Sequence, residues 1–335
     1  MLLLGRPPHP LAVLTSFRPT WSQRLALGWL GWLVLVAAVA PLLPLPYPPD
    51  LPDLAHIAAP PLGAARHWLG TDAQGRDVLS ILVYGTRTAV LLTLPAALLA
   101  ALVGGLAGAA AGFWGNTARV SLAYWLMAAG GMWWSLQLPG AALGLGLALI
   151  GGVLALLAHS QKRPLPTWPL PVSALVMGTA TALDTIPRLI VVVAMVASIG
   201  LSAPGLLAVL VLTTWPQMAR LVRAQMLRVR QLPFVEAARA AGLSERQVWF
   251  RHALPHALHP LRTALPLSIA GLLALESTLS FLGIGLPPEV ASWGRLLATV
   301  RNEPGAWWVL LFPSVLLTTS ILSLNSLSRP ATSRT

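Results

Sequence analysis

"EAARAAGLSERQVWFRHALP", residues 236–255, stands in a chain that otherwise reads as lipid-soluble. Its local chemistry is legible. Glu236–Ala241 is alanine-rich and follows Pro233, which predicts a helix. Gly242 falls where a left-handed helix terminator is wanted. Ser244 followed by Gln247 has the spacing of a capping box and predicts a second helix. Leu254-Pro255 should close that helix, because the residue before a proline avoids helical geometry. The stretch thus reads as a helix–glycine–helix bracket. Its small side chains Ala237, Ala238 and Ala241 would leave a face on which another surface packs tightly. The same residues also fit a basic loop resting on anionic headgroups.

Working outward, the composition sets the frame. The 335 residues are 56% hydrophobic and 10% charged, with mean hydropathy +0.72. A soluble domain is about 25% charged, so this chain lacks the polar surface to cover a globule. The formal net charge of +12 does not point to nucleic acid, because the basic residues flank apolar spans, as membrane topology requires. There is no cysteine, which excludes disulfides and thiolate metal sites.

Uncharged stretches long enough to cross a bilayer occur at 25–43, 88–115 and 120–158 (two spans joined near Leu138-Pro139-Gly140), and 172–200 and 205–226, which carry Asp184, Arg188, Arg220 and Arg223, read as two further helices. Two more, 264–285 and 305–326, are apolar apart from Glu276. Ala38-Val39-Ala40 has the small-residue form of a signal-peptidase site, but many spans follow it, and a retained first helix is the expectation. Gly104, Gly108 and Gly112 recur every four residues. They are either a small-residue stripe for close helix approach or helix filler.

Eight spans with a cytoplasmic N-terminus place 16 of the 22 basic residues inside, among them Arg119, Lys162, Arg163 and eight arginines between 220 and 262. An odd count would put that arginine-rich segment outside, against the positive-inside bias. Six spans plus a re-entrant hairpin serve equally well. Residues 236–255 therefore face the cytoplasm.

Three stretches then resemble one family. "EAARAAG", nine residues, then "HALP" resembles the cytoplasmic EAA loop of ABC-transporter permeases fed by a binding protein, with Glu236, Ala237, Ala238, Gly242, Leu254 and Pro255 in the matching places. "HWLGTDAQGRDVLSILVYGTR" (67–87) resembles the segment before the second helix of dipeptide, oligopeptide and nickel permeases. The matches are Gly70, Thr71, Asp72, Gly75, Arg76 and Asp77 in that external loop. "LESTLSFLGIGLPPEVASWGRLL" (275–297) is similar to the E-A-S-L-S-F-L-G … P-S-W-G segment of the same permeases. The resemblance covers 25–115 and about 178–325 and points to the "C"-type subunit of a permease pair.

The resemblance implies an all-α, polytopic transmembrane bundle of about six core spans. It divides into a cytoplasmic segment 1–24, a first span 25–43, an external loop 44–87, a permease domain 88–326 and a tail 327–335. Within the domain lie an extra hairpin and linker at 118–170, absent from the family pattern, and the coupling loop 227–262. The tail "SLNSLSRPATSRT" also departs from the family's G-D-x-L-R-D. The implied function is the channel-forming subunit of an ATP-driven importer of peptides or related small solutes, nickel among them. It would sit in the bacterial inner membrane with both termini cytoplasmic.

No G-x-x-x-x-G-K-[ST] phosphate loop occurs in the sequence. ATP and Mg would be held by two partner ATPase subunits and no cofactor by this chain. The further partners implied are a second, homologous permease subunit, an extracytoplasmic substrate-binding protein and membrane lipid, with no nucleic acid. Glu236 is the expected polar contact to the ATPase and Gly242 the bend. Arg220, Arg223, Arg228 and Arg230 are expected at the headgroups.

Intramembrane charge is functional by default. Glu276 either lines the pathway or is a structural group. Asp184 and Arg188, four apart, are expected to pair along one helix. Asp72 and Asp77, with Gly75 between, read as a turn. His252, His256 and His259 have helical spacing, but Pro255 and Pro260 interrupt it and no carboxylate shares the face, so no metal site is assigned. A secondary transporter without an ATPase is the alternative, and its coupling ion would have only Asp184, Arg188 and Glu276 to use. A membrane hydrolase would need a catalytic set that the sequence does not offer.

Overall fold

The computed structural model describes residues 19–63, 67–121, 127, 149–150, 152, 167–199 and 202–329. The expected extra spans within 120–158, Lys162, residues 1–18 and most of the tail lie outside them. The long helices are α1 (Trp21–Val39), α2 (Val78–Trp114), α3 (Val172–Asp184), α4 (Arg188–Ile199) and α5 (Ala203–Val229). After them come α6 (Pro233–Ala240), α7 (Glu245–Gln247), α8 (Leu254–Ala257), α9 (Leu261–Phe281), α10 (Trp293–Ala298) and α11 (Trp307–Ser328). Among the described residues, five helices are long and apolar enough to cross a membrane: Trp21–Leu42, α2, α5, α9 and α11. The bent pair α3 and α4 makes a sixth if it is one span. The chain is a polytopic helical protein, as expected.

Three boundaries differ from the sequence reading. α2 begins at Val78, not 88, so the loop expected over 44–87 ends at Asp77. Asp77 Oδ2 accepts the Ser80 N–H at 2.8 Å and caps the helix. Arg87 lies within that helix, and a lone charge does not stop one. The span expected over 172–200 breaks between Asp184 and Arg188, where Pro187 lacks the N–H that a continuous helix would need. Finally, β1 (Ala118–Ser121) and β2 (Thr167–Leu170) form an antiparallel ribbon in the register Ala118↔Leu170 to Ser121↔Thr167. The two ends of the expected insertion are therefore hydrogen-bonded to each other.

The chain divides into two compact units, Met1–Gly105 with Leu183–Met218 and Leu258–Thr335, and Leu106–Ala182 with Ala219–Ala257. In the first unit α1 packs on α11. A Thr20–Gln23 capping box starts α1, and the Gln23 amide donates to the Arg329 carbonyl at 2.9 Å, while Trp29 Nε1–H donates to Ser320 Oγ at 3.2 Å. Ala40, within the Ala38-Val39-Ala40 motif, and Ala37 just before it are buried. One apolar core joins Leu33, Val78, Leu82, Leu273, Trp293 and Trp308. A second joins Ala96 and Ala97 to Val192, Leu206, Leu210 and Leu272. Leu25, Leu35, Leu91, Leu102 and Leu322 remain outside, each more than half exposed, as lipid-facing positions require.

In the second unit the glycine stripe has a packing role. A Cβ on Gly108 would stand 2.1 Å from the Ala219 carbonyl oxygen, and one on Gly112 2.7 Å from Met226 Cβ. The end of α2 and the adjacent part of α5 meet backbone to backbone, as small residues permit. Arg220 and Arg223 of α5, and Arg230 just beyond its end, have partners within this unit. Arg220 donates to the Ala180 carbonyl at 3.1 Å, Arg223 to Ser173 Oγ at 3.1 Å and Arg230 to the Gly112 carbonyl at 3.2 Å. They bond backbone and hydroxyl groups of neighbouring helices, because the ends of α2 and α3 present oxygen atoms within reach of their guanidinium forks.

Candidate functional site

The bracket at 236–255 forms in the second unit. Pro233 takes the first position of α6 and Glu236 lies in its first turn, where a negative charge complements the helix dipole. Gly242 has φ 82°. Its N–H bonds the Arg239 carbonyl at 2.9 Å, and the Leu243 N–H bonds the Ala238 carbonyl at 3.3 Å, the two bonds of a Schellman terminator. A Cβ there would meet nothing within 4 Å, so the glycine is required by backbone conformation and not by space. Ser244 and Gln247 form the capping box of α7, with Gln247 Oε1 accepting the Ser244 N–H at 3.0 Å. Arg239 reaches across the turn to Glu245 in a bidentate pair at 2.9 and 3.3 Å. Both partners are exposed, so this pair orients the turn more than it stabilises it.

Two expectations for this segment need correction. Ala238 is buried with Val235, while Glu236, Ala237, Ala240 and Ala241 are exposed. Residues 235 and 238 share a helix face, so the outward surface is Glu236, Ala237, Ala240 and Ala241. Leu254-Pro255 also does not close the second helix. α7 continues as a π-helix over Val248–Ala253 and then as α8, with the Leu254 N–H bonded to the Trp249 carbonyl. The wider turn supplies a route past Pro255, which sits at the second position of α8 where its missing N–H is tolerated. Leu254 is buried. Beneath the bracket Trp249 packs on Trp114, ring centroids 5.0 Å apart.

The other two motif stretches, separated by some two hundred residues, lock together in the first unit. Ser292 Oγ donates to Glu276 Oε1 at 2.9 Å, and Ser280 Oγ donates to the same atom at 2.8 Å. Ser277 Oγ donates to Oε2 at 3.3 Å. Trp293 Nε1–H donates to the Leu82 carbonyl at 3.0 Å. Its indole lies where a Cβ on Gly85 would be 2.7 Å from the ring, and a Cβ on Gly294 would be 2.1 Å from the Ser277 carbonyl oxygen. Glu276 is thus buried and held by three hydroxyls. Arg295 donates to the carbonyls of Leu286, Pro287 and Val290 and ties the loop before α10.

The segment before α2 is a knot, not a plain turn. Asp72, fully buried, accepts the Gln74 and Arg76 N–H groups and the Arg76 guanidinium, the last at 2.7 and 2.9 Å. Thr71 Oγ1 donates to the His56 carbonyl and accepts the Ala59 N–H, and the Trp308 indole N–H donates to the Thr71 carbonyl at 2.9 Å. Gly70 and Gly75 have φ 81° and 79°, and a Cβ on either would fall 2.4–2.5 Å from a carbonyl oxygen of Ala59 or Asp53. Asp77 Oδ1 pairs with His67 Nδ1 at 2.9 Å. Asp53, joined to the knot through the Gly75 carbonyl, is held below the usual carboxylate range, first by His56 and then by the Ala55 N–H. The partners Asp53 and His56 were not legible in sequence, because no fixed spacing links them to the 67–87 motif.

Asp184 and Arg188 do not share a helix. Asp184 ends α3 and Arg188 begins α4, and the Arg188 guanidinium donates to Thr213 Oγ1 at 3.3 Å and Thr214 Oγ1 at 2.6 Å on α5. The helix break puts the two residues on different helices, yet they remain close enough to interact electrostatically. His256 Nδ1 lies 2.8 Å from the His252 carbonyl, a contact within the π-to-α segment.

Comparisons with known proteins converge. Residues 168–334 match the model of the family described as binding-protein-dependent transport system inner membrane component. A Brucella suis biovar 1 protein named for a peptide transport system as its permease is 35% identical over 193 residues, 57% of this chain and 65% of that protein. A second, named as a peptide permease of the same organism, is 28% identical over 266 residues, 78% of this chain and 69% of that protein. The Escherichia coli K12 inner membrane ABC transporter permease protein YejE is 30% identical over 266 residues, 79% of this chain and 62% of YejE. The chain spans slightly less than two thirds of the first of these relatives.

Proposed function

The chain belongs, over residues 168–334, to the binding-protein-dependent transport system inner membrane components, and from that premise we propose that it is the channel-forming subunit of an ATP-driven importer. ATP and Mg reside on two separate ATPase subunits, and the 227–262 loop is the joint to them. An extracytoplasmic binding protein delivers cargo, and a second, homologous permease completes the pathway. The relatives named for peptides favour peptides or related small solutes over nickel as cargo. N- and C-termini lie in the cytoplasm, on the side to which the arginine bias assigns the loop.

The observation that carries this reading is the exposed surface of Glu236, Ala237, Ala240 and Ala241, closed by a left-handed Gly242 and a capped second helix. Small side chains beside a rigid turn permit close docking in a groove, and a single carboxylate gives that contact polarity. The turn between α6 and α7 is fixed by backbone and capping bonds, so it can transmit displacement to the helices on either side of it in sequence.

Two substitutions test the joint. Gly242→Val forces a β-branched residue to φ 82°, a conformation it strongly resists, and Glu236→Lys reverses the charge of the outward face. Both variants should insert normally and lose ATPase co-purification or cargo-stimulated ATP hydrolysis in vesicles with the partner subunits. Wild-type hydrolysis and transport in both would remove this loop from coupling and return the secondary-transporter reading.

A further inference from the structure

Asp53, His56 and His67 each offer one ligand atom, and the three atoms lie within 4.8 Å of one another. They come from two chain segments that the knot before α2 holds in place. The Asp53 N–H bonds the Gly75 carbonyl at 2.8 Å, the Ala58 N–H bonds the Asp72 carbonyl at 3.0 Å, and the Thr71 N–H bonds the Ala59 carbonyl at 3.0 Å. The ligand atoms are therefore preorganised by backbone bonds that do not depend on a ligand.

The hydrogen-bond geometry around His67 is the second observation. Its side chain is fully buried, and Tyr47 stacks on its ring with centroids 4.1 Å apart. Nδ1 faces Asp77 Oδ1 at 2.9 Å, and the other Asp77 oxygen is occupied by the Ser80 N–H. A carboxylate accepts only, so Nδ1 carries the proton. Nε2 then faces Asp53 Oδ2 at 3.4 Å. With Nδ1 donating to Asp77, Nε2 presents its lone pair toward the space shared with Asp53 and His56.

The geometry favours a metal cation. A tetrahedral zinc with nitrogen and oxygen ligands at about 2.0–2.2 Å has ligand atoms about 3.3–3.5 Å apart. His67 Nε2 and Asp53 Oδ2 already stand at 3.4 Å, and His56 Nδ1 is 2.9 Å from the same oxygen. A ligating histidine whose other nitrogen donates to a carboxylate is the usual outer-shell arrangement of metal sites. We propose that Asp53, His56 and His67 form a binding site for a divalent transition cation of the zinc class, with Asp77 as the outer-shell acceptor and a fourth position open to solvent. Imidazole with carboxylate suits such borderline cations, whereas calcium and magnesium take oxygen-rich sets. The open side is given by His56, whose side chain is 46% exposed. An occupied site would clip the loop that precedes α2 to the start of that helix. This inference is independent of the importer reading, since it concerns only the loop's own side chains.

The test uses the full chain in nanodiscs, carrying an affinity tag without histidine and stripped by chelator. It is titrated with zinc against a chromophoric competitor and with cobalt by visible absorption. Wild type should bind one equivalent with a ligand-field band and a raised melting temperature. His56→Ala and Asp53→Asn should weaken binding by about 100-fold and abolish the band, and Asp77→Asn should weaken it by about 10- to 100-fold. Metal-free melting of His56→Ala should be unchanged. Joint replacement of His252, His256 and His259 by alanine should leave the band intact. Absence of a bound equivalent in wild type would overturn the proposal. Equal binding in His56→Ala and Asp53→Asn, or loss of the band only with the 252–259 replacements, would overturn it as well.

Discussion

Gly294→Ala concentrates the consequences of the lock between the two distant motifs. The added methyl would stand 2.1 Å from the Ser277 carbonyl oxygen and 2.8 Å from Ser277 C and Cα. All three are backbone atoms of α9, so no side chain can rotate aside, and α10 must retreat by about 1 Å to reach ordinary contact. Two neighbouring bonds have no slack for that movement. Ser292 to Glu276 at 2.9 Å and Trp293 to the Leu82 carbonyl at 3.0 Å would both lengthen beyond hydrogen-bonding range. Overpacking alone costs about 1–3 kcal/mol, and each buried polar group left unpaired costs about 1–3 kcal/mol. Partial relaxation makes these terms overlap, so a total of about 3–6 kcal/mol is expected, a large share of the roughly 5–15 kcal/mol that holds a typical domain. At about 2–4 °C per kcal/mol for a domain of this size, the variant should melt roughly 6 °C or more below wild type by intrinsic tryptophan fluorescence in detergent. A melting temperature within about 2 °C of wild type would refute the backbone-contact argument.

Three more outcomes follow from particular contacts. Glu276→Ala leaves the hydroxyls of Ser277, Ser280 and Ser292 without their acceptor and should be less stable than Glu276→Gln by about 1–3 kcal/mol; equal melting of the two in one detergent would show that the hydroxyls find other partners. Gly108→Ala should destabilise, because its Cβ meets the Ala219 carbonyl at 2.1 Å, whereas Gly178→Ala, with nothing within 4 Å, should be neutral or slightly stabilising, and parallel thermal melts decide between them. Since Ser121 and Thr167 are facing partners in the ribbon, replacing 122–166 by an Asn-Gly hairpin turn should leave a monodisperse, folded chain by size-exclusion chromatography, and aggregation would show that the removed segment belongs to the fold.

Much of this protein is determined by the sequence alone. Apolar length against a bilayer and the arginine bias select a helical membrane protein, because a spanning backbone must satisfy its own hydrogen bonds. The Gly242 terminator and the Ser244 capping box are local chemistry, closed within three or four residues, and both form at the expected positions. The tertiary structure decided the rest. Arg188 meets Thr213 and Thr214 because Pro187 breaks the helix that spacing alone would have continued. Ala238 turns inward while its neighbours face out, since a stretch of alanines carries no amphipathic signal. Glu276 gained its Ser292 partner from beyond the next loop. Asp53 and His56 joined His67 through backbone bonds to a glycine turn, with no periodicity to announce them. In each case a side chain's role depended on a partner distant in sequence, and an aligned spacing holds no information about which distant backbone will be brought within 3 Å.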